Sequence, residues 1–131
     1  MTSRVCPLLL LLVCSLAVAK AQLKVFNLRA TDLPADIFGV TDGYVKVSCM
    51  AAVLGQTEVR KNSANPWWEE EFFYYEAQEN DILRLELHDE DFIFDDLLGV
   101  CQINIKPGTH EHDCYLDKGV LYYSYTFTPQ Q

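Results

Sequence analysis

Leu83-Arg84-Leu85-Glu86-Leu87-His88 alternates an apolar residue with a charged or polar one over six positions. Successive side chains of an extended chain point to opposite faces, so the leucines line one face and Arg84, Glu86 and His88 the other, as in a half-buried strand. Tyr44-Val45-Lys46-Val47-Ser48 and Tyr123-Ser124-Tyr125-Thr126-Phe127 repeat the same period. Leu23 to Leu28, Thr57 to Arg60, Glu70 to Tyr75 and Cys101 to Ile105 are expected to be further strands, and no segment sustains a helical period. Turn residues separate these runs at Thr41-Asp42-Gly43, Ser63-Ala64-Asn65-Pro66 and Lys106-Pro107-Gly108. The pattern predicts an all-β fold, an eight-stranded antiparallel β-sandwich with no internal repeat or domain boundary.

The leucine-rich strand runs directly into His88-Asp89-Glu90-Asp91-Phe92-Ile93-Phe94-Asp95-Asp96, which holds five acids within eight residues. Carboxylates so crowded repel one another and destabilise a loop unless a cation relieves them. Calcium suits that task, since it takes six to eight oxygen ligands at about 2.3–2.6 Å in flexible geometry. Phe92, Ile93 and Phe94 need a separate reason. Apolar side chains at the tip of a charged loop are suited to entering a membrane or a partner's pocket.

Near the start, Arg4 precedes the apolar run Leu8 to Val13, and Ala19-Lys20-Ala21 supplies small residues where a signal peptidase reads. Residues 1–21 are therefore expected to be a secretory signal peptide, cleaved after Ala21. The apolar run is shorter than the roughly 20 residues a spanning helix needs. Residues 22–131 then form one domain of 110 residues, secreted to the extracellular space, with 8 basic against 19 acidic residues and a net charge of −11. That balance argues against nucleic acid, whose phosphates call for clustered Lys and Arg. It also disfavours unaided adhesion to anionic lipid.

Of five cysteines, Cys6 and Cys14 belong to the signal peptide, leaving Cys49, Cys101 and Cys114. A bridge between Cys101 and Cys114 would close a loop of roughly 14 residues and contribute about 3 kcal/mol. Cys49 is expected to be a buried free thiol, with an intermolecular bridge as the alternative. His110, His112 and the cysteines lack zinc-ligand spacing.

Three motifs carry a family resemblance. Leu33 with Asp36-Ile37-Phe38-Gly39-Val40-Thr41-Asp42-Gly43-Tyr44-Val45-Lys46-Val47 resembles the first calcium loop and following strand of a C2 domain. Asn65-Pro66-Trp67-Trp68-Glu69-Glu70-Glu71-Phe72 is similar to that family's Asn-Pro-x-Trp-x-Glu-x-Phe signature, and Asp89-Glu90-Asp91 through Asp96-Leu97-Leu98-Gly99 resembles its third loop. Within the family the chain is most similar to the C-terminal domain of perforin-type proteins, through Gly99-Val100-Cys101, Cys114 and Gly119 to Tyr125. Pore formation by this polypeptide alone is not implied. The third loop is one residue shorter than in those proteins, so Asp95 and Asp96 compete for one ligand position.

The resemblance implies calcium loops at one end of the sandwich. Asp36 and Asp42 would be ligands from the first loop and Asp89, Asp91 and Asp96 from the third, with Asp95 auxiliary and the carbonyls of Ala35 and Glu90 completing the shell. Ile37 and Phe38, with Phe92, Ile93 and Phe94, would insert into membrane once Ca2+ offsets the negative charge. The implied function is calcium-dependent attachment to phospholipid, as a peripheral membrane protein, in immune or cytolytic processes and with a pore-forming relative or another protein as candidate partner. The alternative is a secreted interaction protein that uses the same loops on a protein or microbial surface. An enzyme is not expected, since no His or Cys stands beside a nucleophile and no glycine-rich phosphate loop occurs.

Overall fold

The computed structural model describes residues 21–130, so the expected signal peptide lies outside the described residues except for Ala21, which is buried against the core. In chain order the strands are β1 Gln22–Thr31, β2 Ala35–Asp36, β3 Gly39–Val40, β4 Gly43–Cys49, β5 Ala52–Gln56, β6 Trp67–Trp68, β7 Phe72–Tyr74, β8 Ile82–Asp89, β9 Asp96–Asn104, β10 Gly108–Tyr115 and β11 Val120–Thr128. One sheet runs β10-β11-β1, with β6 and β7 both paired to the free side of β1; the other runs β5-β4-β8-β9. Each pairing is antiparallel. β6 and β7 are two halves of one strand interrupted at Glu69 to Glu71, so the sandwich has eight strand positions, four per sheet. The pair β2–β3 is a small hairpin at one end.

Alternation acts as expected where it is regular. Leu83, Leu85 and Leu87 of β8 are fully buried, as are Val45 and Val47 of β4, and they share one core with Leu23, Val25, Leu28, Leu121 and Phe127 of the facing sheet. Cys101 on β9 is bonded to Cys114 on β10, so the disulfide joins the edges of the two sheets. Cys49 is a free, fully buried thiol. Its burial rules out the intermolecular bridge, and the apolar surroundings push the thiol up to about 11.

Two expectations need correction. Thr57 to Arg60 is not a strand. Thr57 turns inward, donates its N–H to the Val45 carbonyl and accepts the Val45 N–H on its hydroxyl, both at 2.9 Å, and the chain then peels away to a single bridge at Arg60. The sheet edge is instead β5, whose Ala-Val-Leu-Gly-Gln sequence does not alternate cleanly. β10 is likewise a strand beyond those expected. Its inward positions are His110, His112 and Cys114 in place of aliphatic residues, and the two imidazoles pack on Tyr125 and Tyr123 of β11.

Candidate functional site

Three loops meet at the end of the sandwich where β8 stops. The first spans Asp32 to Asp42, the second Glu58 to Pro66, and the third Glu90 to Asp95. They are joined by specific hydrogen bonds. Asn62 of the second loop donates its N–H to Asp42 Oδ1 at 2.6 Å and accepts the Val40 N–H at 3.1 Å. Asn65 Oδ1 accepts the Asp32 N–H at 3.0 Å. Asp42 N–H donates to Asp89 Oδ1 at 2.8 Å, and the Asp42 carbonyl accepts the Glu90 N–H at 2.8 Å.

Together the loops enclose an open cleft of about 940 Å3 lined by Asp36, Asp42, Asp89, Glu90, Asp91 and Asp95, with Phe38, Phe92 and Ile93 at its apolar side. Val40 and Lys61 also line it. Asp96 does not. It opens β9 as the cross-strand partner of Asp89, and its charge still reaches that residue. Burial first, then the carboxylates of Asp42, Asp96 and Asp36, push Asp89 above the usual carboxylate range, against the opposing hydrogen bond from Asp42. The fold thus gathers acids that lie far apart in the chain, Asp42 and Asp89 being separated by 47 positions, into one electrostatic neighbourhood.

The carboxylate oxygens point at backbone N–H groups. Asp36 accepts from Phe38 and Asp91 from Phe92, each at 2.7 Å, and Asp95 accepts from Asp91 at 3.1 Å. Among the described residues no three His, Cys, Asp or Glu side chains converge as a ready-made metal cage. The donor set itself is all hard oxygen, and among the described residues none of these aspartates forms a salt bridge with Lys or Arg. Crowded, unpaired carboxylates on adjustable loops fit calcium and suit zinc poorly. Of the two residues expected to offer carbonyls, Glu90 lines the cleft, and Ala35 is exposed on β2 next to Asp36 but outside the lining.

The apolar tips stand clear of the core. Ile37 and Phe38 on the β2–β3 turn are 92% and 90% exposed, and Phe92, Ile93 and Phe94 are 104%, 81% and 79% exposed. Core packing therefore does not account for them. Trp68, by contrast, is buried and donates its indole N–H to the Gly43 carbonyl at 3.2 Å.

Residues that the sequence did not single out also shape the site. Tyr44, buried on β4, donates its hydroxyl to Asp95 and stacks on His88 at 5.2 Å. Burial and then that bond raise the phenol to about 12. Lys61 and Asn62 supply the second wall; Asn62 adopts φ 54°, a left-handed conformation that Asn tolerates better than most residues. A lone Asn after Lys carries no spacing signal, so sequence alone could not mark it.

The model of the C2 domain matches residues 21–117. The chain belongs to the C2 domain family. A solved structure described as that of a C2 domain shares 63% identity at a TM-score of 0.79, covering 82% of this chain and 98% of that one. Human perforin-1 is 36% identical over 108 residues, 80% of this chain and 19% of perforin-1. The calcium-bound pair of C2 domains from extended synaptotagmin-2 shares 27% identity at a TM-score of 0.71, covering 82% of this chain and 45% of that one. This C2 domain spans about a fifth or less of the length of the curated relatives it matches. C2 domains are binding modules, generally for calcium and phospholipid, and are not themselves catalytic.

Proposed function

We propose that this chain is a secreted, perforin-like C2 domain that attaches to phospholipid membranes when calcium occupies the cleft between its first and third loops. The observation that carries this is the pairing of a carboxylate-lined cleft with five almost fully exposed apolar side chains on the two loops that form it. Asp36, Asp42, Asp89, Asp91 and Asp96 would hold the ion, with Asp95 and the carbonyls of Ala35 and Glu90 in support. Bound calcium would supply positive charge and open coordination sites for phosphate oxygens.

The chain's own residues make attachment conditional. With the acids unneutralised, the loop end repels anionic headgroups, and Lys61 is one cation against six lining acids. Once repulsion is relieved, Ile37, Phe38, Phe92, Ile93 and Phe94 can leave water together. Burying one such side chain is worth roughly 1.5–3 kcal/mol, so three or four give useful affinity before the cost of ordering the loops is counted. No helix among the described residues is long and apolar enough to cross a membrane, and loop insertion needs none.

Co-sedimentation with phosphatidylcholine–phosphatidylserine vesicles tests the proposal. The protein should pellet with vesicles in millimolar calcium and stay in the supernatant in EGTA. Equal pelleting in both would sink it.

A further inference from the structure

A second cavity lies on the outer face of the first sheet, away from the acidic cleft. It is built on one row across four strands, since Trp67 of β6 pairs with Arg29 of β1, Arg29 with Tyr122 of β11, and Tyr122 with Asp113 of β10. Beside this row β1 carries a bulge. It takes three steps from Phe26 to Arg29 where β11 takes two from Ser124 to Tyr122. Asn27 absorbs the extra residue at φ 55° while Leu28 turns into the core. The bulge opens a cup of about 160 Å3 lined by Asn27, Arg29, Trp67, Glu111, Asp113 and Tyr122, with His112, Tyr123 and Ser124 beside them.

The side chains of this cup restrict what it can hold. The Arg29 guanidinium lies 3.9 Å from the Tyr122 ring centroid and 5.5 Å from that of Trp67. A cationic ligand would meet the like charge of the Arg29 guanidinium between the two rings. An anionic one would meet Glu111 and Asp113, both exposed on the opposite side. Among the described residues neither acid, nor Arg29, is engaged in a salt bridge, so charged donors and acceptors face the cup with capacity to spare. Trp67 is 62% exposed and offers apolar ring surface at the rim. This mixed set of one cation, two acids and an exposed indole matches a ligand whose hydroxyls both donate and accept and whose C–H flank packs on an aromatic face. The cup is smaller than the roughly 300–1,000 Å3 of a drug-sized pocket, so the ligand is a single ring.

We propose that this cup binds one pyranose residue, with Glu111 and Asp113 accepting from adjacent hydroxyls, Arg29 donating to an oxygen, and Trp67 packing on the sugar's C–H face. None of these residues belongs to the calcium loops, so sugar binding is independent of calcium.

The purified protein is titrated with methyl glycosides of mannose, glucose, galactose and N-acetylglucosamine, in EGTA and in calcium, by saturation-transfer NMR. At least one glycoside should receive saturation equally in both buffers. A Glu111→Gln/Asp113→Asn variant should bind it roughly tenfold more weakly or worse, as expected for losing charged hydrogen bonds. Its melting temperature and calcium-dependent vesicle binding should match the parent, which separates failure of the cup from failure of the loop site. Absence of transfer to all four glycosides overturns the proposal, as does transfer unaffected by the double variant or abolished by EGTA. Trp67→Phe serves as an independent check and should weaken the same glycoside.

Discussion

The N–H of Asp42 donates to Oδ1 of Asp89 at 2.8 Å, so the first and third loops are tied together through one of the carboxylates proposed to hold calcium. An asparagine side chain at position 89 retains an oxygen that can accept this bond but removes the charge. Asp89→Asn should therefore keep the loops joined, and should lose most of the calcium-induced rise in Tm. A sign follows for pH as well. Because the folded-state pKa of Asp89 is raised, in EGTA its contribution to stability falls as pH rises from the unfolded value, about 3.8, through the folded one. The variant should lack that decline. Thermal melts in EGTA and calcium across acidic pH check both points, and an unchanged calcium shift would remove Asp89 from the ligand set.

Phe92 and Phe94 contribute little to the fold because water already surrounds them. Phe92→Ser/Phe94→Ser should alter stability by no more than about 0.5 kcal/mol, the usual range for exposed sites. Vesicle affinity should fall by roughly a hundredfold, since each of the two lost phenyls removes on the order of 1.5 kcal/mol of burial. Calcium affinity measured by calorimetry in the absence of lipid should stay the same. A variant with parental vesicle binding would assign the loop tips to another partner.

Those two residues also mark how far the sequence could be followed. Regular alternation made β4, β8 and β11 legible, because Leu, Val and Tyr on one face need no context to be recognised as core. β10 was hidden because its inward face is His110, His112 and Cys114, whose burial depends on Tyr123 and Tyr125 lying beneath them. β5 was hidden because Gly55, at φ 145°, breaks the period and the next residue towards the turn, Leu54, is skipped in the pairing with β4. In the site, the acids and apolar tips of the first and third loops stood out as runs. The second loop did not, since Asn62 acts through its backbone conformation and a contact 20 residues away, which no local pattern encodes.

The bond between Cys101 and Cys114 holds β9 of one sheet to β10 of the other, and β10 is an edge strand with little aliphatic packing of its own. Cys101→Ala/Cys114→Ala should destabilise the domain by about 3 kcal/mol, for a closed loop of this length. The corresponding loss in Tm is on the order of 10–20 °C for a domain of this size. Urea denaturation of parent and variant decides it; a loss below about 1 kcal/mol would mean that the ladder to β11 and the histidine–tyrosine contacts hold β10 without the disulfide.

Glu86 lies between Arg84, bonded at 2.8 Å, and His88, at 2.9 Å, on the outward face of β8. The Arg84 bond first, then the His88 bond, hold its carboxyl below the usual range. A depressed folded-state pKa gives stability that is present above the unfolded value, about 4.5, and is lost as pH falls through the folded one. Glu86→Gln should flatten this part of the acid limb, so parent and variant converge in stability at the lowest pH and diverge above it. Urea midpoints measured between about pH 3 and 7 would show this, and parallel curves would refute it.

Asp95 and Asp96 are adjacent but engaged differently. Both oxygens of Asp95 are occupied, one by the Tyr44 hydroxyl and the other by the Asp91 N–H at 3.1 Å, and the Tyr44 bond leads in holding its carboxyl below the usual range. Asp96 has no such partner among the described residues and stands across the ladder from Asp89, close enough to raise it. Although Asp95 lines the cleft, releasing it to an ion would give up two internal hydrogen bonds and leave the Tyr44 hydroxyl, itself buried, without its acceptor. Asp96→Asn should therefore weaken calcium binding more than Asp95→Asn does. Asp95→Asn should instead loosen the third loop, seen as faster hydrogen exchange at the Asp91 amide. Calorimetric calcium titration of the two variants, with exchange measured at Asp91, distinguishes them; a larger calcium loss in Asp95→Asn would make Asp95 the ligand and Asp96 its neighbour.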